Sequence, residues 1–206
     1  MASRRDGIAG FYNRVSRLYD AVSMFEQGVV EEGLKLIDLK RCSAALDIGC
    51  GTGGVLKRLS RSCEAVAGLD IAEGMLRVAR RKLGTATNVF LALGDTVHLP
   101  FRSGSFDIAT AIFVLEILNN QELAKALEEV QRVLRRGGAF LAVSIYDRPC
   151  MAIKLYKVLS RLFPTVFNCR PIKLDKLLIQ VGFEIVAKRV ENLYGLPIMI
   201  AVASRD

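Results

Sequence analysis

The 206-residue chain predicts a doubly wound α/β domain: a seven-stranded, mostly parallel sheet with an antiparallel edge strand and helices on both faces. Three observations carry that expectation. Apolar runs of strand length alternate with segments of helical period. The first five runs are nearly unbroken, as in strands covered on both faces. The first of them passes directly into a glycine-rich turn that opens a helix.

In chain order, a helical stretch over 11–39 precedes the sheet. Strands follow over 44–48, 65–71, 88–93, 106–113 and 139–146, with helices over 54–61, 73–83 and 121–135 between them. In the last helix Leu123, Leu127, Val130 and Leu134 form one apolar stripe, with charges between them. Arg135-Arg136 and Gly137-Gly138 then read as a basic last turn and a glycine C-cap. Helices over 150–163 and 171–181 are expected next, then strands over 183–190 and 197–203. The link Leu193-Tyr194-Gly195-Leu196-Pro197 is too short for a crossover, so these last strands should pair antiparallel at an edge. The 11–39 and 150–163 helices should cover the C-terminal ends of the strands, where such sheets bind ligands.

Composition narrows the class. No repeat or linker divides the chain, so 1–206 reads as one domain: a helical cover (1–40), a core (41–147) and a basic C-terminal part (148–206). A hydrophobic content of 51% excludes disorder despite the net charge of +8. The most apolar stretches, 106–118, 138–146 and 193–203, are shorter than the ~20 residues a membrane span needs. The basic start lacks the apolar run of a secretory signal. Five scattered Cys without C-x-x-C, and a single His, argue against a metal site or a disulfide framework. Reduced thiols and a cytoplasmic location are therefore expected.

The densest motif is Asp47-Ile48-Gly49-Cys50-Gly51-Thr52-Gly53-Gly54. Glycines let the backbone turn tightly and admit a ligand, and the following helix N-terminus offers free N–H groups. Gly49, Gly51 and Gly54 satisfy G-x-G-x-x-G, while Gly49, Gly51 and Gly53 satisfy G-x-G-x-G. Asp70 ends the second strand, where a carboxylate can accept both ribose hydroxyls or simply cap the next helix. Both motifs serve a dinucleotide equally well.

The third motif discriminates. With Gly94-Asp95-Thr96-Val97-His98-Leu99-Pro100-Phe101, the chain resembles the class I S-adenosylmethionine-dependent methyltransferases. More narrowly it is similar to their ubiquinone/menaquinone-biosynthesis-type subgroup. The resemblance also takes in Tyr12, Tyr19-Asp20, residues 46–53, Asp70 and residues 132–138, with Arg136 where the family commonly has Pro. It implies a Rossmann-like sheet and S-adenosyl-L-methionine as cofactor, with no metal. Gly49, Cys50 and Gly51 would line the methionine portion, with Asp47 and Met75 in the same site. Asp70 would hold the ribose hydroxyls, and Ile71 would pack on the adenine. Asp95 would accept from the adenine amino group, and the Thr96 backbone would meet the ring. Phe113 would border the sulfonium, and Tyr19 would close over it. A dehydrogenase would need a second domain, for which 206 residues leave no room.

Methyl transfer from a sulfonium is an in-line displacement, and alignment alone can supply up to about 7–11 kcal/mol. No strong catalytic side chain is evident. Tyr19 and Tyr146 are the candidates, since a hydroxyl can orient an acceptor or relay its proton; His98 reads as a partly exposed loop residue at the adenine end. In the basic tail, Lys154, Lys157 and Arg161 share a helix with Met151, Leu155, Val158, Leu159 and Leu162. That pattern suits an anionic membrane surface, at about 1 kcal/mol per basic residue. The expected acceptor is a membrane-associated lipid, either a phospholipid amine or a prenylated quinone precursor. A soluble small molecule and a non-catalytic binding role are the alternatives. Without interleaved aromatics or a nucleic-acid module, the positive charge does not point to a nucleic-acid partner.

Overall fold

The computed structural model describes residues 4–162 and 169–205, so the expected helix end at Phe163 lies outside them. Seven strands form one sheet: β1 (Ala44–Ile48), β2 (Ala65–Asp70), β3 (Val89–Leu93), β4 (Phe106–Ile112), β5 (Leu134–Ile145), β6 (Glu184–Leu193) and β7 (Leu196–Ser204). Their spatial order is β3-β2-β1-β4-β5-β7-β6. β1 to β5 are parallel, and β7 runs antiparallel to both β5 and β6. The expected edge hairpin is therefore present, with β7 slotted between β5 and β6. Tyr194 (φ +50°) and Gly195 (φ +88°) make its two-residue turn, and two successive positive φ values are what a tight hairpin needs.

Helices α1 (Arg4–Val15), α2 (Tyr19–Ser23) and α3 (Gln27–Leu34) precede the sheet, with a 3-10 turn over Met24–Glu26. The single helical stretch expected there is thus broken. Ser16 is one cause: its hydroxyl donates to Asn13 O at 3.0 Å, competing with the helix ladder. The remaining helices are α4 (Gly54–Leu59), α5 (Glu73–Leu83), α6 (Asn120–Val133), α7 (Met151–Leu162) and α8 (Leu174–Gln180). Alternate residues of the central strands face opposite ways. Leu46, Ala109 and Phe140 meet α6 and α8, while Ala45, Ile108 and Leu141 meet α3, α4 and α7.

Three expectations are corrected. α6 ends at Val133, and β5 begins at the next residue, so Gly137-Gly138 is no helix cap. Arg135 instead pairs with Asp107 of β4 at 2.5 Å, and a Cβ on Gly138 would meet Arg135 O at 2.8 Å and Asp107 O at 3.2 Å. These glycines let an irregular strand start pass close to its neighbour. Second, β3 is not covered on both faces: it is the sheet edge, with Phe90 and Leu93 exposed. Third, Cys42 and Cys63 form a disulfide, in which Cys50, Cys150 and Cys169 take no part. The pairing of Ala44 with Ala65 aligns the approaches to β1 and β2, leaving the two Cα atoms 4.7 Å apart. Their separation of 21 in sequence carries no hint of this.

α6 is entered through a capping box: Asn119 Oδ1 accepts from Glu122 N at 2.9 Å, and Glu122 Oε2 accepts from Asn119 N at 2.8 Å. Asn119→Ala should therefore cost about 1 kcal/mol, read as a lower urea midpoint at unchanged slope.

Candidate functional site

The site lies over the C-terminal ends of β1, β2 and β4. Beyond Ile48 the chain takes positive φ at Gly49 (+65°), Gly51 (+51°) and Gly53 (+81°), while Gly54 opens α4 with ordinary backbone. The tighter G-x-G-x-G pattern is thus the one the backbone requires. At Gly49 the need is also steric, because an added Cβ would come within 2.5 Å of Val114 on the segment after β4. Gly51 differs. Nothing lies closer to its added Cβ than Tyr19, at 3.9 Å, so the side there is open cleft.

Asp70 organises this loop. Its Oδ2 accepts from Gly51 N and its Oδ1 from Ala72 N, both at 2.8 Å. One carboxylate therefore ties the glycine turn to the start of α5 and keeps lone pairs for a ligand. Burial raises its pKa, opposed by those backbone donors. A cleft opens beside it. Ile71, Met75, Asp95, Thr96 and Phe113 line this cleft, with Gly49, Gly51 and Tyr19. Phe113 is held at φ +53°, the left-handed region that a bulky residue rarely adopts.

A second cavity shares Tyr19, Gly49 and Gly51 with the first and adds Asp47 and Cys50. Asp47 is fully buried; its Oδ1 accepts from Thr110 Oγ1 at 2.6 Å, and its Oδ2 has no partner. Burial pushes its pKa up to about 7, against the Thr110 hydrogen bond and helped by the charge of Asp70. An orphaned carboxylate oxygen beside a cavity suits an incoming ammonium group. The Cys50 thiol is turned into the core, against Leu56 and Gly68, so only its backbone serves the cavity.

Tyr19 stands between the two cavities, edge-on to Tyr12 with ring centroids 6.0 Å apart. Its neighbour fixes it there: Asp20 Oδ1 accepts from Thr52 Oγ1 and from Lys82 Nζ, both at 2.5 Å. The cover helices are thereby pinned to the glycine loop and to α5. α1 is tied in turn by Gly74 N donating to Asn13 Oδ1 at 2.6 Å. Arg5 pairs with Asp95 and, at 3.5 Å, with Glu122.

Of the cofactor-binding and catalytic candidates named from sequence, Tyr146 alone lines neither cavity. It follows β5 and packs on the core beneath α6 and α8, its main chain paired with Ile172, so it is not brought to the site. His98 is exposed in the loop after Asp95. Sequence reasoning missed Arg5, Thr52, Lys82, Glu26 and Glu116. Only Asp20, as part of Tyr19-Asp20, carried a signal of this tie.

Comparison with known proteins places these features. A family described as "Methyltransferase domain" matches residues 46–142. The demethylmenaquinone methyltransferase of Staphylococcus haemolyticus is 32% identical over 176 residues, 81% of this chain and 72% of its own length. An uncharacterised protein of Methanocaldococcus jannaschii is 35% identical over 144 residues, of whose length the match spans only 53%. Among solved structures, the N-methyltransferase NodS of Bradyrhizobium japonicum, determined with S-adenosyl-L-homocysteine, superposes with a TM-score of 0.71 at 16% identity, over 88% of this chain and 87% of that one. That likeness concerns the fold.

Proposed function

Since this chain belongs to the class I S-adenosylmethionine-dependent methyltransferases, we propose that it methylates a membrane-associated, quinone-type acceptor. The cofactor is S-adenosyl-L-methionine. When bound, it supplies an electrophilic methyl group on a sulfonium. The residues present fit it: Asp70 keeps free lone pairs, Gly51 lacks the Cβ that would fill the cleft, and Asp47 offers an unpartnered oxygen. In this reading Asp70 holds the ribose hydroxyls, and Ile71 and Thr96 sandwich the adenine. Gly49, Cys50 and Gly51 present backbone groups to the amino-acid end, with Asp47 answering its ammonium. Asp95 reaches the adenine amino group once Arg5 yields. Tyr19 and Phe113 close the reacting centre and exclude water.

The quinone-type acceptor draws support from the demethylmenaquinone methyltransferase relative, and the membrane from α7. That helix buries only Ile153 and Tyr156. On its opposite side Met151, Leu155, Val158 and Leu162 are all at least half exposed, at successive spacings of four, three and four. Lys154 and Arg161 flank that stripe, while Lys157 pairs with Asp147 at 2.7 Å. At the same end of the sheet the exposed Tyr194 stacks edge-on against Phe25, centroids 5.7 Å apart. Apolar side chains rimmed by cations fit an anionic bilayer surface.

The test uses phosphatidylglycerol-rich vesicles carrying a prenylated demethylnaphthohydroquinone and labelled cofactor. The wild type should sediment with the vesicles and label the quinol. Changing Lys154, Lys157 and Arg161 together to Glu should weaken partitioning by roughly 3 kcal/mol, ~100-fold. Unchanged partitioning would remove the membrane from the proposal and leave a soluble acceptor as the better reading.

A further inference from the structure

One buried carboxyl next to this site has no place in the cofactor's binding. After β4, Val114 lies against Gly49 of the glycine loop, and the 3-10 turn Leu115–Ile117 carries Glu116 beneath the cover. Glu116 is fully buried. Its Oε1 accepts one long hydrogen bond, 3.4 Å, from Ile145 N at the end of β5. Its Oε2 has no hydrogen-bond partner.

The groups around it come from several other elements. Tyr19 of α2, Glu26, Tyr156 of α7 and Cys169 all lie within electrostatic reach, with Tyr12 next to Tyr19. Each is an acid, and none brings a positive charge. The cation at hand is Arg170. Its main-chain N–H donates to Glu116 O at 3.0 Å, while its guanidinium Nε and Nη1 go to Leu118 O and Asn120 Oδ1, at 2.7 and 2.6 Å. Burial accordingly pushes Glu116 up to about 8, with the charge of Glu26 adding to it, and Glu26 itself up to about 7. A carboxyl in that range can hold or take a proton at neutral pH. Structurally the arrangement is costly, because Gln in the same place would meet Ile145 N equally well without an ionisable group.

We propose that Glu116 is the acceptor-side base of the methyl transfer, its free Oε2 taking the proton that the acceptor must release. The inference rests on the methyl-transfer reading above and names the chemistry of its acceptor: a group that becomes nucleophilic by losing a proton, phenolic or ammonium. With a hydroquinone, the hydroxyl O–H bond breaks and its proton goes to Oε2. The oxygen electron pair enters the ring, and an ortho carbon forms the new C–C bond as the methyl leaves sulfur with the C–S pair staying behind. The proton on that carbon passes to solvent and Oε2 returns its own to the oxygen, restoring the aromatic ring. With an ammonium, the N–H proton goes to Oε2 and the freed nitrogen pair forms the bond. Glu26, which lines the second cavity, tunes Glu116 through its charge.

The test compares wild type, Glu116→Gln and Glu116→Asp in three measurements. Calorimetry with S-adenosylhomocysteine comes first: Glu116→Gln should bind within about twofold of wild type, and failure of the wild type itself to bind would overturn the methyl-transfer reading instead. Second, methyl transfer is followed with two probes, a monoprenyl 1,4-naphthohydroquinone and phosphatidylethanolamine vesicles. On whichever the wild type methylates, Glu116→Gln should lose about 10²- to 10⁴-fold in rate. It should also lose the acidic limb of the pH–rate profile, which Glu116→Asp partly restores. A Glu116→Gln rate equal to wild type overturns the proposal. Third, thermal unfolding is followed from pH 5 to 9. A carboxyl raised from its ordinary 4.5 to about 8 keeps its proton in the folded state but loses it in the unfolded chain across that window. Wild-type stability therefore falls as pH rises through it, with Glu26 and Asp47 adding to the slope, and Glu116→Gln should make the fall shallower and melt higher than wild type at pH 8. A lower melting temperature for Glu116→Gln at pH 8 makes Glu116 a structural residue and overturns the proposal, even where neither probe reacts.

Discussion

Asp70→Ala should weaken S-adenosylhomocysteine binding by about 10- to 100-fold in calorimetry, the equivalent of roughly 1.5–3 kcal/mol for hydrogen bonds to a charged group. Two losses combine. The ligand's ribose loses its acceptor, and Gly51 N and Ala72 N, both now held at 2.8 Å, lose the carboxylate that orients them. The glycine turn would then sample other conformations before a ligand could bind. Asp70→Asn keeps one acceptor oxygen and should fall between the two. Wild-type affinity in Asp70→Ala would mean that the cofactor lies elsewhere.

Gly49→Ala should be the most damaging small substitution in the protein, at about 2–5 kcal/mol of folding stability. The left-handed backbone at φ +65° costs a residue with a Cβ about 1–2 kcal/mol. The methyl would also sit 2.5 Å from Val114, and relieving that overlap costs about 1–3 kcal/mol more. For a chain of this length the melting temperature should drop by roughly 4–20 °C. Gly54→Ala is the control: nothing lies within 4 Å of its added Cβ and its φ is ordinary, so it should be neutral or slightly stabilising. Equal melting temperatures for the two variants would contradict the assignment of the tighter glycine pattern.

What could be read in the sequence was whatever depends on neighbours along the chain. The alternation of apolar runs with helical stripes gave six of the seven strands within three residues of their ends, and β5 from five residues inside its start. The glycine turn was legible because a backbone that must take positive φ needs glycine at that position whatever surrounds it. Where the reading failed, a distant partner decided. Arg135-Arg136-Gly137-Gly138 has the composition of a helix end, yet Asp107, 28 residues earlier, draws Arg135 into a strand. Tyr146 looked like a site residue by its place after β5, but the sheet turns it into the core.

The sequence by itself determined a doubly wound, mostly parallel sheet with helices on both faces, because that follows from local periodicity and from the right-handed crossovers such periodicity enforces. Only the tertiary structure decided the Cys42–Cys63 bond, the tie of Asp20 to Thr52 and Lys82, and the isolation of Glu116. Each depends on burial or on contact between segments far apart in the chain. A glutamate reads the same in sequence whether water surrounds it or not, and its chemistry follows from that difference.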